Sequence, residues 1–251
     1  MKNPSSGGSE AMLFSPLDSH RFSRRIGKTN ISDAQEADTA LAAAEAEKLE
    51  LLIARCPADA VRALHAMEER GFRLMDTLVY LRRSVDAGNL DDPPRSVRQA
   101  SVADAAAVEG VARGAFRGYV GHYHSDARLD GHAADQIYPD WARRAVEEPG
   151  VADSVLVYED EASRICGFAA MRRLDDARCD GMLFAVDPGF QKRGIFGALL
   201  RASLAWAAAN GYAQMEYSTH LRNAGALRGV AGHGFYIYKA VHTFHCWIKA
   251  Q

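Results

Sequence analysis

The stretch from Met182 to Asn210 constrains the fold of this chain more than any other. Met182-Leu-Phe-Ala-Val186 is a compact apolar run that Asp187-Pro188 ends, and Gln191-Lys-Arg-Gly-Ile-Phe-Gly197 follows it. Leu199, Leu200, Leu204 and Ala207 then share one face of a helix predicted over Ile195–Asn210, with Asn210-Gly211 as its stop. A buried strand, a basic glycine turn and an amphipathic helix in succession call for a layered α/β arrangement. They also place the unpaired N–H groups of a helix start beside Lys192 and Arg193. Gly194 lets an anion approach the backbone, so the turn suits a phosphate or pyrophosphate. The lysine–hydroxyl pair of a P-loop is missing, and the turn lies too late in the chain for a dinucleotide fingerprint.

An internal repeat extends this reading. Ala63-Leu64 stands seven residues before Gly71-Phe72, and Ala226-Leu227 seven before Gly234-Phe235. Each copy reads as a helix, a glycine stop at positive φ and a strand with alternating apolar residues. The polar, Pro-containing stretch Ser84–Ser96 reads as a linker. The expected organisation is therefore a truncated half-domain over 11–83, a linker over 84–95 and a complete domain over 96–251.

Strands are expected at Met12–Phe14, Arg25–Ile31, Leu49–Ala54, Phe72–Arg83, Ser96–Ala100, Ser154–Tyr158, Ile165–Arg172, Asp180–Val186 and Ala213–Thr219. Helices are expected at Ala34–Lys48, Ala58–Arg70, Val102–Phe116 and Ala133–Glu148, the last either kinked or restarted at Pro139. Arg117–Gly131 has no clear period. The fold class is α/β (α+β) with a mixed, mostly antiparallel sheet.

Composition narrows the function classes. With a net charge of -2 the chain lacks the basic excess of a general nucleic-acid binder. No apolar run reaches the roughly 18 residues of a membrane span, and the first residues lack a signal-peptide core. Cys56, Cys166, Cys179 and Cys246 are far apart and form no CxxC, which fits a cytoplasmic protein without a disulfide framework. Cys166 and Cys179 have no clear basic activator in sequence, so nucleophilic roles are not expected of them.

Val186-x-Pro188, Gln191-x-x-Gly194-x-x-Gly197 opening a helix, a strand ending Ser218-Thr219, Asn223-x-x-Ala226 and Gly234-Phe235 occur in that order. From Ser96 to Trp247 the sequence resembles the GNAT acyltransferase superfamily. The resemblance implies acetyl-CoA as cosubstrate, with its pyrophosphate on Gln191, Lys192, Arg193, Gly194, Ile195, Phe196 and Gly197. The pantetheine arm would pair with Phe184, Ala185 and Val186, and Asn223 would contact the cofactor. Leu17-Asp18-Ser19 with Ile26-Gly27, Tyr138-x-x-Trp141 and His122-Tyr-His-Ser-Asp126 are similar to segments of the dTDP-fucosamine (dTDP-4-amino-4,6-dideoxygalactose) acetyltransferase family. That likeness implies transfer of an acetyl group to the 4-amino group of a nucleotide-linked deoxyamino sugar, and a scaffolding role for the N-terminal copy.

Two positions depart from the family pattern. Phe196 stands where the turn carries its second Gly or Ala, so its ring crowds a phosphate unless it turns inward against the core. Val230 stands where many members carry the tyrosine that protonates the departing thiolate. Tyr236, His233, His220 and Glu216 are the candidates for proton transfer in its place. His122, Tyr123, His124, Asp126 and Thr219 are the candidates for substrate binding. On an extended segment His122, His124 and Asp126 would share a face and could hold a metal, but a further ligand is not evident, so no metal is expected. Tyr138, Trp141 and Trp206 read as packing residues. Other readings remain open: acetylation of an aminoglycoside, amino acid or polyamine, modification of a protein, or a non-catalytic acyl-CoA-binding regulator. The expected partner is a small molecule, with neither nucleic acid nor membrane. A homodimer through the N-terminal half is compatible with this organisation, though no residue pattern requires it.

Overall fold

The alternation expected from the sequence gives, in chain order, β1 (Leu13–Phe14), α1 (Pro16–Phe22), β2 (Ile26–Asn30), α2 (Ala34–Ala46), β3 (Leu51–Pro57), α3 (Val61–Glu69) and β4 (Arg73–Ser84). After these come β5 (Val97–Gln99), α4 (Ala105–Ala115), α5 (Gly131–Asp135), α6 (Ile137–Glu147), β6 (Ser154–Glu159), β7 (Ile165–Arg173) and β8 (Arg178–Val186). A 3-10 turn over Pro188–Phe190 leads to α7 (Ile195–Ala209), β9 (Gln214–His220), α8 (Ala224–Ala231) and β10 (Tyr236–Trp247). The structure is a computed structural model that describes residues 13–86, 88 and 94–248, so part of the expected linker and the expected strand residue Met12 lie outside it.

Local chemistry accounts for most boundaries. Pro139 falls in the first turn of α6, where its missing N–H is harmless, so the helix restarts there and does not kink. The paired glycines of the repeat, Gly71 and Gly234, both adopt left-handed φ, +81° and +79°, as their place after α3 and α8 demands. The sequence reading missed α1, a seven-residue helix opened by Pro16 and closed by Ser23 at φ 51°.

The chain forms two compact units, each assembled from separated segments. One comprises Tyr80–Tyr119 and Asp135–Tyr238. Its strands run in the order β4-β9-β8-β7-β6-β5, antiparallel from β5 to β8 and parallel between β8 and β9. Val108, Val111, Ala112 and Ala142 from α4 and α6 pack with Val155, Val157, Phe168 and Ala170 in one core. α7 lies against β7 so closely that a Cβ on Gly167 would stand 3.1 Å from Ile195 Cγ2 and from Leu199 Cδ1.

The other unit takes the described residues of Lys2–Val79, Val120–Ala134 and Lys239–Gln251. Its strands run β1-β2-β3-β10-β4, with β2 and β3 parallel. Ala37, Ala40 and Ala44 of α2 and Ala63 and Met67 of α3 pack on Leu52, Ala54 and Cys56 of β3 and on Phe244 and Cys246 of β10. The chain's last strand is thus interior to this sheet, paired with β3 from Val241↔Pro57 to Trp247↔Leu51.

Ending the chain after Tyr238 should therefore uncover β3. Hydrogen exchange at Leu51–Pro57 is expected to rise by several orders of magnitude in that truncation; unchanged protection there would contradict the interior placement of β10.

Candidate functional site

β8 and β9 share a register only from Arg178↔Gln214 to Gly181↔Tyr217. Beyond that rung β8 continues through Met182–Val186, paired on its other side with β7 as far as Val186↔Gly167, while β9 continues through Ser218–His220. The strands part, and one backbone edge of Phe184, Ala185 and Val186 lines the gap. Such an edge can pair with an extended, amide-bearing chain.

Three aromatic rings occupy the narrow end of the gap. Phe184 and Tyr217 are 5.5 Å apart, Phe184 and Phe196 6.0 Å, and Phe196 and Tyr217 6.4 Å. Of the two placements open to it, Phe196 takes the inward one, against Phe184 and Tyr217. The space for it comes from Gly229 on α8, where a Cβ would stand 2.7 Å from the Phe196 ring. Gly181 does the same for Phe184, whose ring would meet a Cβ there at 2.9 Å. Val230, beside Gly229, is fully buried, so its position is part of the core.

Gln191–Gly194, between β8 and α7, is exposed. Lys192 and Gly194 both hold positive φ, +63° and +80°, and Gly194 is the residue from which α7 begins, without a side-chain cap. Such a turn gathers backbone N–H groups into a concave anion site. Where Gly194 would carry a Cβ there is open space to 4 Å, room for a phosphate oxygen. Gln191 Nε2 donates to Val186 O at 3.4 Å and ties the turn to the open end of β8. Ile195 is buried at the helix start and contributes packing. Gly197 lies under the His233 ring, which a Cβ would approach to 3.1 Å. The residues present therefore fit an acyl-CoA molecule: an open strand edge for the pantetheine amides and a backbone cradle for the pyrophosphate.

The proton-transfer candidates differ sharply in surroundings. Glu216 is buried and accepts hydrogen bonds from Tyr238 Oη (2.6 Å), Arg82 Nη2 (2.9 Å) and Arg178 Nη1 (2.9 Å). Burial opposes its ionisation, but these donors outweigh that and hold its carboxyl below the usual value. An ionised, fully engaged carboxylate is a strut between β4, β8, β9 and β10. His233 Nδ1 donates to Gly229 O at 2.8 Å, and Arg83 Nη1 donates to its carbonyl at 2.6 Å, so it secures the end of α8. Tyr236 is exposed at the start of β10. His220 lies at the end of β9 past the last shared rung, buried, with Tyr119 edge-on at 5.1 Å. Tyr119 itself meets Tyr138 at 5.3 Å and Phe116 at 5.4 Å. Sequence reasoning missed Tyr119 because Arg117–Gly131 has no period; Gly118, at φ +72° directly after α4, was the available signal.

Asn223 caps α8, accepting from Ala226 N–H at 3.3 Å and donating from Nδ2 to Thr219 Oγ1 at 3.0 Å. That bond joins the buried end of β9 to the helix.

The remaining substrate candidates belong to the other unit. His122, His124 and Asp126 do not share an extended face, because their segment is a series of turns. His245 Nδ1 and Trp247 Nε1 donate to Asp126 Oδ2 at 2.9 and 2.7 Å, and His122 Nδ1 meets His245 Nε2 at 2.9 Å. Burial pushes the His245 imidazole down, while at Asp126 burial opposes ionisation but the Trp247 and His245 donors hold the carboxyl below its usual value. Tyr123 is buried against Phe22, with its hydroxyl accepting from Lys28 Nζ at 3.1 Å, and Lys28 pairs with Asp18. His124 Nδ1 accepts from Gly121 N–H at 3.3 Å. In this unit these groups are occupied with one another.

The Phe196–Gly229 contact reverses an ordinary expectation. Gly→Ala inside a helix normally stabilises by up to about 1 kcal/mol. Gly229→Ala should instead lower the melting temperature and push the Phe196 ring toward the turn; a thermal melt showing stabilisation would contradict the contact.

Residues 152–237 match the model of the acetyltransferase (GNAT) domain. A comparison with curated proteins found no match. Among solved structures, a conserved protein of unknown function from Staphylococcus epidermidis superposes with a TM-score of 0.65 at 12% identity, over 98% of this chain and 93% of that one. A GCN5-related N-acetyltransferase from Sphaerobacter thermophilus gives 0.57 at 15% identity, over 80% of this chain, which spans 60% of that one. A tandem GNAT protein from the clavulanic acid biosynthesis pathway gives 0.57 at 11% identity, over 87% of this chain and 69% of that one. At such identities the superpositions speak to the fold, which is GNAT-like. Among the described residues no helix is long and apolar enough to cross a membrane. The open β8 edge, the glycine turn and α7 all lie inside the segment that matches the acetyltransferase (GNAT) domain model.

Proposed function

We propose that this protein transfers an acetyl group from acetyl-CoA to a primary amine of a small molecule. The observation that supports this most is the parting of β8 from β9 directly before a turn with two left-handed residues and an uncapped helix start. A neutral amine attacks the thioester carbonyl, the C–S bond breaks, and the thiolate takes up a proton as the new amide nitrogen gives one away. This aminolysis needs chiefly positioning and hydrogen-bond donors for the oxyanion, each worth roughly 3–4 kcal/mol. His220, past the last rung of the ladder, is our candidate for moving the proton. Glu216 is assigned to structure, because its carboxylate is already occupied.

For the acceptor we propose the 4-amino group of a nucleotide-linked deoxyamino sugar, a reading that rests on the sequence resemblance alone. The segment 11–83, with its partners from 120–134 and the end of β10, is proposed as scaffold.

Release of CoA thiol from acetyl-CoA, measured with and without a dTDP-4-amino-4,6-dideoxyhexose, tests both levels. Sugar-dependent release supports the full proposal. Release only with other amines retains the acetyltransferase and removes the sugar, whereas acetyl-CoA binding without turnover on any amine favours a regulator. Gly194→Val, at φ +80° in the cradle, should raise the KM for acetyl-CoA at least about tenfold while the protein stays folded. Unchanged KM would remove the pyrophosphate from this turn.

A further inference from the structure

Phe190 ends the 3-10 turn directly before Gln191, and two guanidinium groups lie over its ring. Arg164 Cζ is 3.9 Å and Arg193 Cζ 4.9 Å from the ring centroid. Arg193 belongs to the glycine turn, whereas Arg164 comes from the reverse turn joining β6 to β7. That reverse turn is preorganised. Asp160 Oδ1 accepts N–H bonds from Ala162 at 3.0 Å and Arg164 at 2.9 Å, Asp160 N–H donates to Arg164 O at 3.0 Å, and Ser163 holds φ +61°. The Asp160 carboxylate is thus engaged by backbone and reaches Arg164 Nε only at 3.8 Å.

Several other arginines of this unit sit in tight carboxylate pairs. Arg98 is held by Asp104 and Glu159, Arg143 by Glu109 and Glu147, and Arg178 by Asp175 and Glu216. Among the described residues no carboxylate lies within ion-pair distance of Lys192 or Arg193. Two like charges gathered on one ring, with Asp160 at 3.8 Å from Arg164 as the counter-charge to one of them, repel each other, and a ring aligns them without neutralising them. A multiply charged anion relieves that repulsion, and forked guanidinium groups match the oxygens of a phosphate. The turn's own N–H groups suffice for a pyrophosphate. The arginine pair therefore fits a further phosphate on the same ligand.

We propose that Arg164 and Arg193, aligned on Phe190, bind the phosphomonoester on the ribose of coenzyme A, so that the protein selects CoA thioesters over dephospho-CoA thioesters. This rests on the acyl-CoA reading above. The test is calorimetric titration of the full chain with acetyl-CoA and with acetyl-dephospho-CoA, in the wild type, Arg164→Ala and Arg164→Lys. Wild type should prefer acetyl-CoA by about ten- to a hundredfold, the range of a hydrogen-bonded charge pair, and less at high salt. Arg164→Ala should reduce the ratio to within about threefold, and Arg164→Lys should retain part of it. The Arg164 side chain is 56% exposed, so neither substitution disturbs packing. Equal affinities in the wild type would overturn the inference while leaving the acyl-CoA site intact. A ratio unaffected by Arg164→Ala would also overturn it. Failure of both ligands to bind would overturn the acyl-CoA reading, and this inference with it.

Discussion

Three rings at the root of the gap between β8 and β9 are the feature on which the rest of the site depends. Parallel strands continue to pair unless something takes the place of the next rung. Here Phe184, Phe196 and Tyr217 meet in a triangle with sides of 5.5 to 6.4 Å, each pair worth roughly 0.5–1.5 kcal/mol beyond the area it buries. Gly181 and Gly229 are the cost of that triangle, since a Cβ at either position would enter a ring. These rings stand where the shared ladder of β8 and β9 ends, and Met182–Val186 continue beyond its last rung. A packed cluster of rings and an open strand edge therefore occur together, with Phe196 contributed by the first turn of α7.

Electrostatics divides this unit into two kinds of surface. Many of its arginines are paired, and the buried Glu216 joins Arg82, Arg178 and Tyr238 into a strut across four strands. Around the start of α7 the pattern changes: among the described residues no carboxylate lies within ion-pair distance of Lys192 or Arg193, and Arg164 meets Asp160 at 3.8 Å. In a chain with a net charge of -2, that local excess is a specific device. It adds to the field of the helix start, an arrangement that an anionic ligand would complete.

Much of this was legible before the fold. The apolar run, the glycine turn and the amphipathic face fixed β8 and α7 because each is encoded by neighbouring residues. The repeat exposed the two left-handed glycines for the same reason. What neighbouring residues do not encode was missed: that Gly229 exists to admit Phe196, and that Glu216 meets two arginines from other strands. The His122–Asp126 spacing misled for a related reason. It implied an extended face, but His245 and Trp247, more than a hundred residues later, bind Asp126 and hold the segment as turns. Candidate ligands in sequence became a buried hydrogen-bonded network.

The two copies of the repeat show why the element order alone does not make a site. Both contain two parallel strands flanking a helix, then a second helix, a left-handed glycine and a long strand. In the first copy β2 pairs with β3 along its whole length, from Ile26↔Leu51 to Asn30↔Arg55, so no edge is left for a ligand. Its helix also begins differently. Asp33 caps α2 by accepting from Glu36 N–H at 2.9 Å, and the Glu36 carboxylate accepts from Ser32 N–H at 2.6 Å. Two carboxylates thus stand where the second copy has Gly194 and uncompensated cations, and they satisfy the helix start while repelling any phosphate. Opening a ladder and leaving a helix uncapped both cost stability. The second copy bears both costs at one place, which is the physical signature of a site that a ligand completes.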